Sequence, residues 1–545
     1  MKKNNIVNTL RAAMLTLALG CLTACVNDLD RFPTNDVTSE VAYKDLDGYK
    51  QVLAKVYGAY ALTGQEGPAG DKTGDVLGLD EGSNSDFFRC FWNAQVLTTD
   101  EAICAWGDAG IPELNFLNFT ASNPFTKGLY YRSIFQISMV NEFLRQSTDG
   151  KLSERGISDV ATVHQFRAEV RFLRAYQYWV LMDLYGNPPF VDETTPMGKY
   201  LPEQISRADL FNYIEKELLD ISADAGNLAA PRANEYGRVD KGAVYALLAR
   251  LYLNAKIYTG TERYTDAITY ASKVIAAGYD LKANYPELFM ADNNVNNPEV
   301  ILSINYDGQH TQSYGGLHFI INASFKGERD DDKNTPKVNY NTFFGNNSGG
   351  WGGNRVRKEL YDLFDAADGR RLFVGEKASV DNVSNFEDGM MQIKFRNVTS
   401  TGGVGSNVAQ GFTDVDMPIF RLAEQYLIYA EAVLRGGAGG SLPAAIQYIN
   451  ELRERAYGNT TGKVDAIDLD FILAERGREL YWEGHRRTDL IRYDQFTSSN
   501  YLWQWKGGVQ TGRLVDDHYK LFPLPAADLV ANPNLKQNTG YSSED

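Results

Sequence analysis

The sequence predicts a mainly α-helical protein, a scaffold of stacked helix pairs carrying long irregular loops and a few short strands. Three observations carry this reading. Apolar residues recur at helical spacing in several separate stretches. Two stretches, 240–277 and 421–456, form units of helix, glycine turn and helix. Strand character is confined to 300–304 and to the alternating Met391, Ile393 and Phe395.

Lys2, Lys3 and Arg11 precede a short apolar run over 12–19 that ends at Gly20 and Cys21. Such a leader is a secretory signal, too short to span a bilayer. Leu22-Thr23-Ala24-Cys25 resembles the lipobox at which a bacterial signal peptidase cuts before a cysteine that is then acylated. Residues 1–24 are therefore expected to be removed, Cys25 to carry the lipid, and 25–545 to form one compact domain. At about 0.8 kcal/mol per buried CH₂, several acyl chains make a lasting anchor.

A polar tether over 27–47 leads into a helix whose stripe is Tyr49, Val52, Leu53, Val56, Tyr57 and Tyr60, stopped by Gly64. Glycines at 67, 70, 74, 78 and 82 keep the next stretch irregular, a long loop of the kind that carries function. Aromatic residues, among them Phe87, Phe88, Phe91, Trp92 and Phe119, crowd 87–119 without a helical period and read mostly as core. Helices follow over 124–146 and 161–185, the second with Ser158 as candidate cap and Gly186-Asn187-Pro188-Pro189 as terminator. Ser206 and Asp209 make a capping box for a helix through Ile221. Helices over 240–258 and 264–277, with Ala267, Tyr270 and Ala271 at the small and aromatic positions, resemble a tetratricopeptide unit. The second unit, 421–435 with 444–456, keeps no strict 34-residue period, so the tetratricopeptide-like repeats are degenerate.

The chain of 545 residues carries a net charge of −16 and is more acidic still without its basic leader. Nucleic acid is not expected as a partner, because binding it rests on Lys and Arg contacts to phosphate. Cys90 and Cys104 remain once Cys21 and Cys25 are accounted for. They either pair, if their Cα atoms lie within about 7 Å, or stay as two buried thiols. No CxxC, HExxH, GxSxG or Walker A pattern occurs, so no metal, cofactor or catalytic residue is expected. Residues 292–296 have the alternating oxygens of a calcium loop, but Asn297 stands where its glycine belongs, which favours an Asn-rich turn. Glu475, Glu479 and Glu483 are spaced to share a helix face, as paired glycosidase carboxylates would. The arginines interleaved with them would hold these groups ionised, so a structural ion-pair network is the favoured reading.

Trp106, Tyr314 and Trp351 are each flanked by residues too small to cover a large ring. An open ring suits the flat C–H face of a sugar; the alternative is a ring folded inward over its own glycines. Residues 305–354, rich in Gly, Asn and aromatics with little regular structure, are where a binding surface is expected.

Arg421-Leu422-Ala423-Glu424, Glu475-Arg476, Glu479-Leu480, Glu483-Gly484, Asp489-Leu490-Ile491-Arg492 and Phe522-Pro523-Leu524-Pro525 resemble the SusD/RagB family. Cys25-Val26-Asn27-Asp28 matches its lipoprotein start. Asp80-Glu81-Gly82, Thr99-Asp100-Glu101, Ala105-Trp106, Tyr314-Gly315-Gly316 and Tyr501-Leu502-Trp503 resemble its starch-binding branch. The resemblance covers nearly the whole chain. It implies an outward-facing outer-membrane lipoprotein that binds starch or maltooligosaccharides without catalysis and sits as a lid over a TonB-dependent transporter of the SusC type. By the same resemblance Trp106, Tyr314 and Trp351 form an aromatic arc, and Asp80 and Arg89 hydrogen-bond sugar hydroxyls. The loop after Trp106 is one residue shorter than the family pattern, which leaves the family's sugar-binding Asn without a counterpart and makes Asp108 its substitute.

Overall fold

The computed structural model describes residues 39–64, 74–80, 82–329 and 338–542; the leader and Cys25 lie outside them. Helix α1 (Leu46–Gly58) starts at Asp45, whose Oδ1 accepts from Gly48 N at 2.8 Å, and buries Tyr49, Leu53 and Val56. It ends at Gly58, before the expected stop at Gly64. Helix α2 (Phe87–Trp92) lies in the aromatic stretch where no period was visible. All six of its residues are buried, so no polar face remains to mark a helix.

Helix α4 (Val160–Tyr185) packs against α3 (Pro124–Gln146) and α5 (Arg207–Ser222). Its cap is Asp159, not Ser158. Ser206 caps α5 by accepting from Asp209 N at 3.1 Å. Helix α6 (Lys241–Leu253) falls short of the expected 240–258 because the chain turns at Asn254 into a short helix, Ala255–Thr259. Helix α7 (Tyr264–Ile275) packs on α6; Ala267 and Ala271 are fully buried, and Tyr270 meets Tyr252 at 5.6 Å between centroids.

The segment 305–354 is more regular than its composition suggested, because it contains α8 (Gly316–Ser324), a helix buried on every side. Helices α9 (Leu422–Leu434) and α10 (Leu442–Tyr457) are the second repeat-like pair, and α9 packs on both α7 and α11 (Leu469–Leu480). The two pairs thus stack continuously, each burying the face its neighbour leaves open.

Four short strands matter: β1 (Ala102–Cys104), β2 (Val300–Ile304), β3 (Asn354–Val356) and β4 (Met417–Arg421). β1 pairs antiparallel with β3, and β2 with β4. The alternation at Met391, Ile393 and Phe395 yields only a two-residue strand, Met391–Gln392.

Cys90 and Cys104 are separate buried thiols, the second pushed up to about 12 by burial. The Asn-rich segment is a turn: both Asp292 oxygens accept from Ser400, at 2.8 Å from its N–H and 2.6 Å from its hydroxyl. Glu483 does not share a face with Glu475 and Glu479, since α11 ends at Leu480 and Trp482 turns the chain at φ +64°. No helix among the described residues is long and apolar enough to cross a membrane.

Candidate functional site

The β1–β3 pairing sets Cys104 opposite Asn354, and Ala105 N donates to Gly353 O at 2.9 Å. Trp106 and Trp351 therefore leave neighbouring strand ends side by side, with centroids 6.3 Å apart and planes at 50°. Gly353, at φ +113°, is needed for this: a Cβ there would lie 2.2 Å from Trp106 Nε1. The Trp351 loop is pinned to α8, where Asn322 O accepts from Trp351 N at 2.6 Å and from Gly352 N at 3.0 Å. The Asn322 side chain, fully buried, takes donors from Asn346 and Ser348, both at 2.9 Å.

Tyr314 stands just before α8, 6.2 Å from Trp351 at 69°. Its position follows from Asp86, the cap of α2. Asp86 Oδ1 accepts from Arg89 N at 2.8 Å and from Gly316 N, the first amide of α8, at 3.0 Å, while Oδ2 accepts from Ser313 Oγ at 3.1 Å. Gly315 permits the approach, since a Cβ there would lie 1.9 Å from Asp86 Cγ. Burial pushes the Asp86 carboxyl up, opposed by these donors. Behind Tyr314 and Trp351 lies His318, with centroids at 5.7 and 5.2 Å, itself stacked on Phe412 at 4.5 Å. Burial pushes His318 down to about 4, so it is neutral at pH 7, with Nδ1 2.7 Å from Gly411 O and donating to it.

Trp106, Tyr314 and Trp351 are each half-buried; Trp106 and Trp351 pack on the core, and Tyr314 stacks on Phe412 at 5.9 Å. The Arg89 guanidinium is 5.7 Å from the Trp106 centroid and 4.6 Å from that of Phe319. Its Nη1 donates to Gly82 O and Tyr314 O, both at 2.9 Å, and its Nε has no hydrogen-bond partner among the described residues. Burial lowers the Arg89 pKa, and the charges of Asp86 and Asp108 act against that shift. Asp80 is exposed and closes a turn by accepting from Gly82 N at 2.8 Å and Ser83 Oγ at 2.9 Å, which links it to the carbonyl that Arg89 holds. Asp108 is exposed on the loop after Trp106. Arg89, Trp106, Tyr314 and Trp351 thus form one cluster, which Asp80 adjoins through the Gly82 carbonyl that Arg89 holds, while Asp108 lies on the loop after Trp106 with no side-chain hydrogen bond to it among the described residues.

Rings set at 50° and 69° to their neighbours are not coplanar, so the three do not form a flat surface. The acidic pair that could have suggested hydrolysis is elsewhere and differently built. Glu475 and Glu479 are fully buried; Arg370 donates to them at 2.7 and 2.9 Å, and Glu475 is held at about 2 chiefly by Arg370 against the effect of burial. Neither has the raised pKa of a general acid.

Four residues that build the cluster were missed from sequence. Asp86 had a readable signal, an acidic residue directly before a helical turn. His318, Asn322 and Phe412 had none, since the contacts that tie them to Gly411, Trp351 and one another's segments mostly span long stretches of chain.

The profile of the SusD family matches residues 372–541, and a second profile, described as starch-binding associating with outer membrane, matches residues 103–253. The chain is 36% identical over 596 aligned residues to the starch-binding protein SusD of Bacteroides thetaiotaomicron, covering 99% of this chain and 100% of that one. Among solved structures it is similar to surface glycan-binding protein A of Bacteroides fluxus, with a TM-score of 0.68 and 22% identity over 91% of this chain and 99% of that one. The protein of the same name from B. thetaiotaomicron, in complex with laminarihexaose, gives a TM-score of 0.66 and 20% identity over the same 91% and 99%. At such identities the structural likeness speaks for the fold alone.

Proposed function

We propose, from the premise that the chain belongs to the SusD family, that it binds starch or maltooligosaccharides on Trp106, Tyr314 and Trp351 and delivers them to a TonB-dependent transporter of the SusC type. It does so as one unit over 25–545, lipid-anchored through Cys25 to the outer face of the outer membrane, by binding without turnover. The observation that carries the reading is the convergence of three half-buried rings, from separate segments of the chain, into one cluster. A platform held in shape before the ligand arrives avoids ordering costs and favours a helical α-glucan over a flat chain. Arg89 beside Trp106, with Asp80 and Asp108 at the rim, supplies polar partners for hydroxyls. Similarity to a starch-binding protein over 99% of the chain supports the substrate class.

Native affinity electrophoresis across amylose, laminarin and cellulose derivatives tests this. Amylose should retard the wild type, and Trp106→Ala or Trp351→Ala should each weaken binding about tenfold, equivalent to about 1.4 kcal/mol, with a nearly unchanged melting temperature. Retardation by laminarin instead of amylose would move the substrate to another glycan. Normal amylose binding by both variants would remove the rings from the site.

A further inference from the structure

Phe386 is a large ring left 36% exposed beside the platform. Its turn is rigid: Asp388 accepts from Asp381 N and Asn382 N at 3.0 and 2.7 Å and from Asn385 Nδ2 at 2.8 Å. Arg355, buried in β3, donates to the carbonyls of Val383 and Asn385, which ties the turn to the strand that follows Gly353. The ring itself lies against Gly352, the residue after Trp351, with Cδ1 3.2 Å from where a Cβ on Gly352 would sit. Lys326 stands over it, Nζ 5.7 Å from the centroid.

The turn is otherwise dominated by polar residues, Asp381, Asn382, Ser384, Asn385, Glu387 and Asp388. The exposed part of this ring, held against Gly352, the residue after Trp351, is a ready stacking face. We propose that Phe386, with Lys326 as its polar neighbour, is a further sugar-stacking position that lengthens the platform, so that the site engages a longer oligosaccharide than Trp106, Tyr314 and Trp351 require. This rests on the glycan-binding function proposed above.

Isothermal titration of the full chain with maltotriose and maltoheptaose separates the two readings. Phe386→Ala should weaken maltoheptaose binding roughly fivefold and leave maltotriose within about twofold. Phe386→Tyr should keep the wild-type affinity for both, whereas Phe386→Leu, apolar without a ring face, should behave like the alanine variant. Unchanged maltoheptaose binding by Phe386→Ala overturns the extension alone, as does an equal loss for both lengths. A wild type that binds neither oligosaccharide overturns the starch reading and this proposal with it.

Discussion

Glu479→Gln removes one charge from a fully buried site, and the structure sets what that should cost. Glu479 Oε1 accepts from Arg421 at 2.6 Å and from Arg455, and Oε2 from Arg370 at 2.9 Å. An amide keeps the shape but aims a donor at a cation. Removing one partner of a buried pair costs about 3–5 kcal/mol when the other is left uncompensated. Here each cation keeps a second carboxylate: Arg421 and Arg455 retain Glu299 at 2.8 and 2.6 Å, and Arg370 retains Glu475 at 2.7 Å. The cost should therefore fall near the lower end, about 3 kcal/mol. Urea unfolding followed by tryptophan fluorescence should show a lower midpoint with an unchanged slope. The acid limb gives an independent check. Desolvation opposes ionisation of Glu479, yet Arg455, Arg421 and Arg370 hold its carboxyl well below the usual range. A depressed pKa contributes stability above the unfolded value, about 4.3, and loses it as pH falls toward the folded value. The gap between wild type and variant should be full at pH 7 and narrow steadily below about pH 4.5. Equal midpoints at pH 7, or a gap that widens in acid, would refute the network argument, and starch hydrolysis by the wild type that is lost in the variant would replace it with an enzyme.

Gly353→Ala should weaken amylose binding about as much as Trp106→Ala, roughly tenfold, because its Cβ would fall 2.2 Å from the Trp106 indole; unchanged affinity electrophoresis would count against that packing. Asp416 is pushed by burial up to about 7 while accepting from Tyr306 N at 2.7 Å. Its folded value exceeds its unfolded one, so stability falls as pH rises through 7. Asp416→Asn, which can still accept that bond, should raise stability by roughly 2–4 kcal/mol at alkaline pH and leave it nearly unchanged near pH 4, read from melting curves across pH. Cys25→Ser should move the protein from the membrane to the soluble fraction with amylose binding intact; an acylated variant in the pellet would contradict the anchor.

Helices with one buried face were readable from sequence. The expected 124–146 coincides with α3, because Asn123 caps it with its Oδ1 on Phe125 N at 3.1 Å and Pro124 opens it. The start of α4 was off by one residue, since Asp159, not Ser158, accepts from Thr162 N. Where every face is buried the pattern carries no signal. All six residues of α2 and all nine of α8 are buried, and both helices were read as irregular chain.

The site divides along the same line. A large ring beside glycine is a local pattern, so Trp106, Tyr314 and Trp351 stood out, but the role of the glycines did not. Gly315 was read as too small to cover a ring, whereas it makes room for the Asp86 carboxylate, and Gly353, which makes room for the Trp106 indole, was not singled out. The contacts that orient the rings span great lengths of chain: Arg89 to Tyr314 across 225 residues, Asp86 to Gly316 across 230, His318 to Gly411 across 93. Asp86 shows why this matters for function. One buried carboxylate satisfies an amide in α2 and the first amide of α8, so Arg89 and Tyr314 are set by a single group. Because that group belongs to the folded scaffold, the relative placement of Arg89 and Tyr314 is set by the fold itself, and a sugar bound on these rings, as proposed, would spend no binding energy on assembling them.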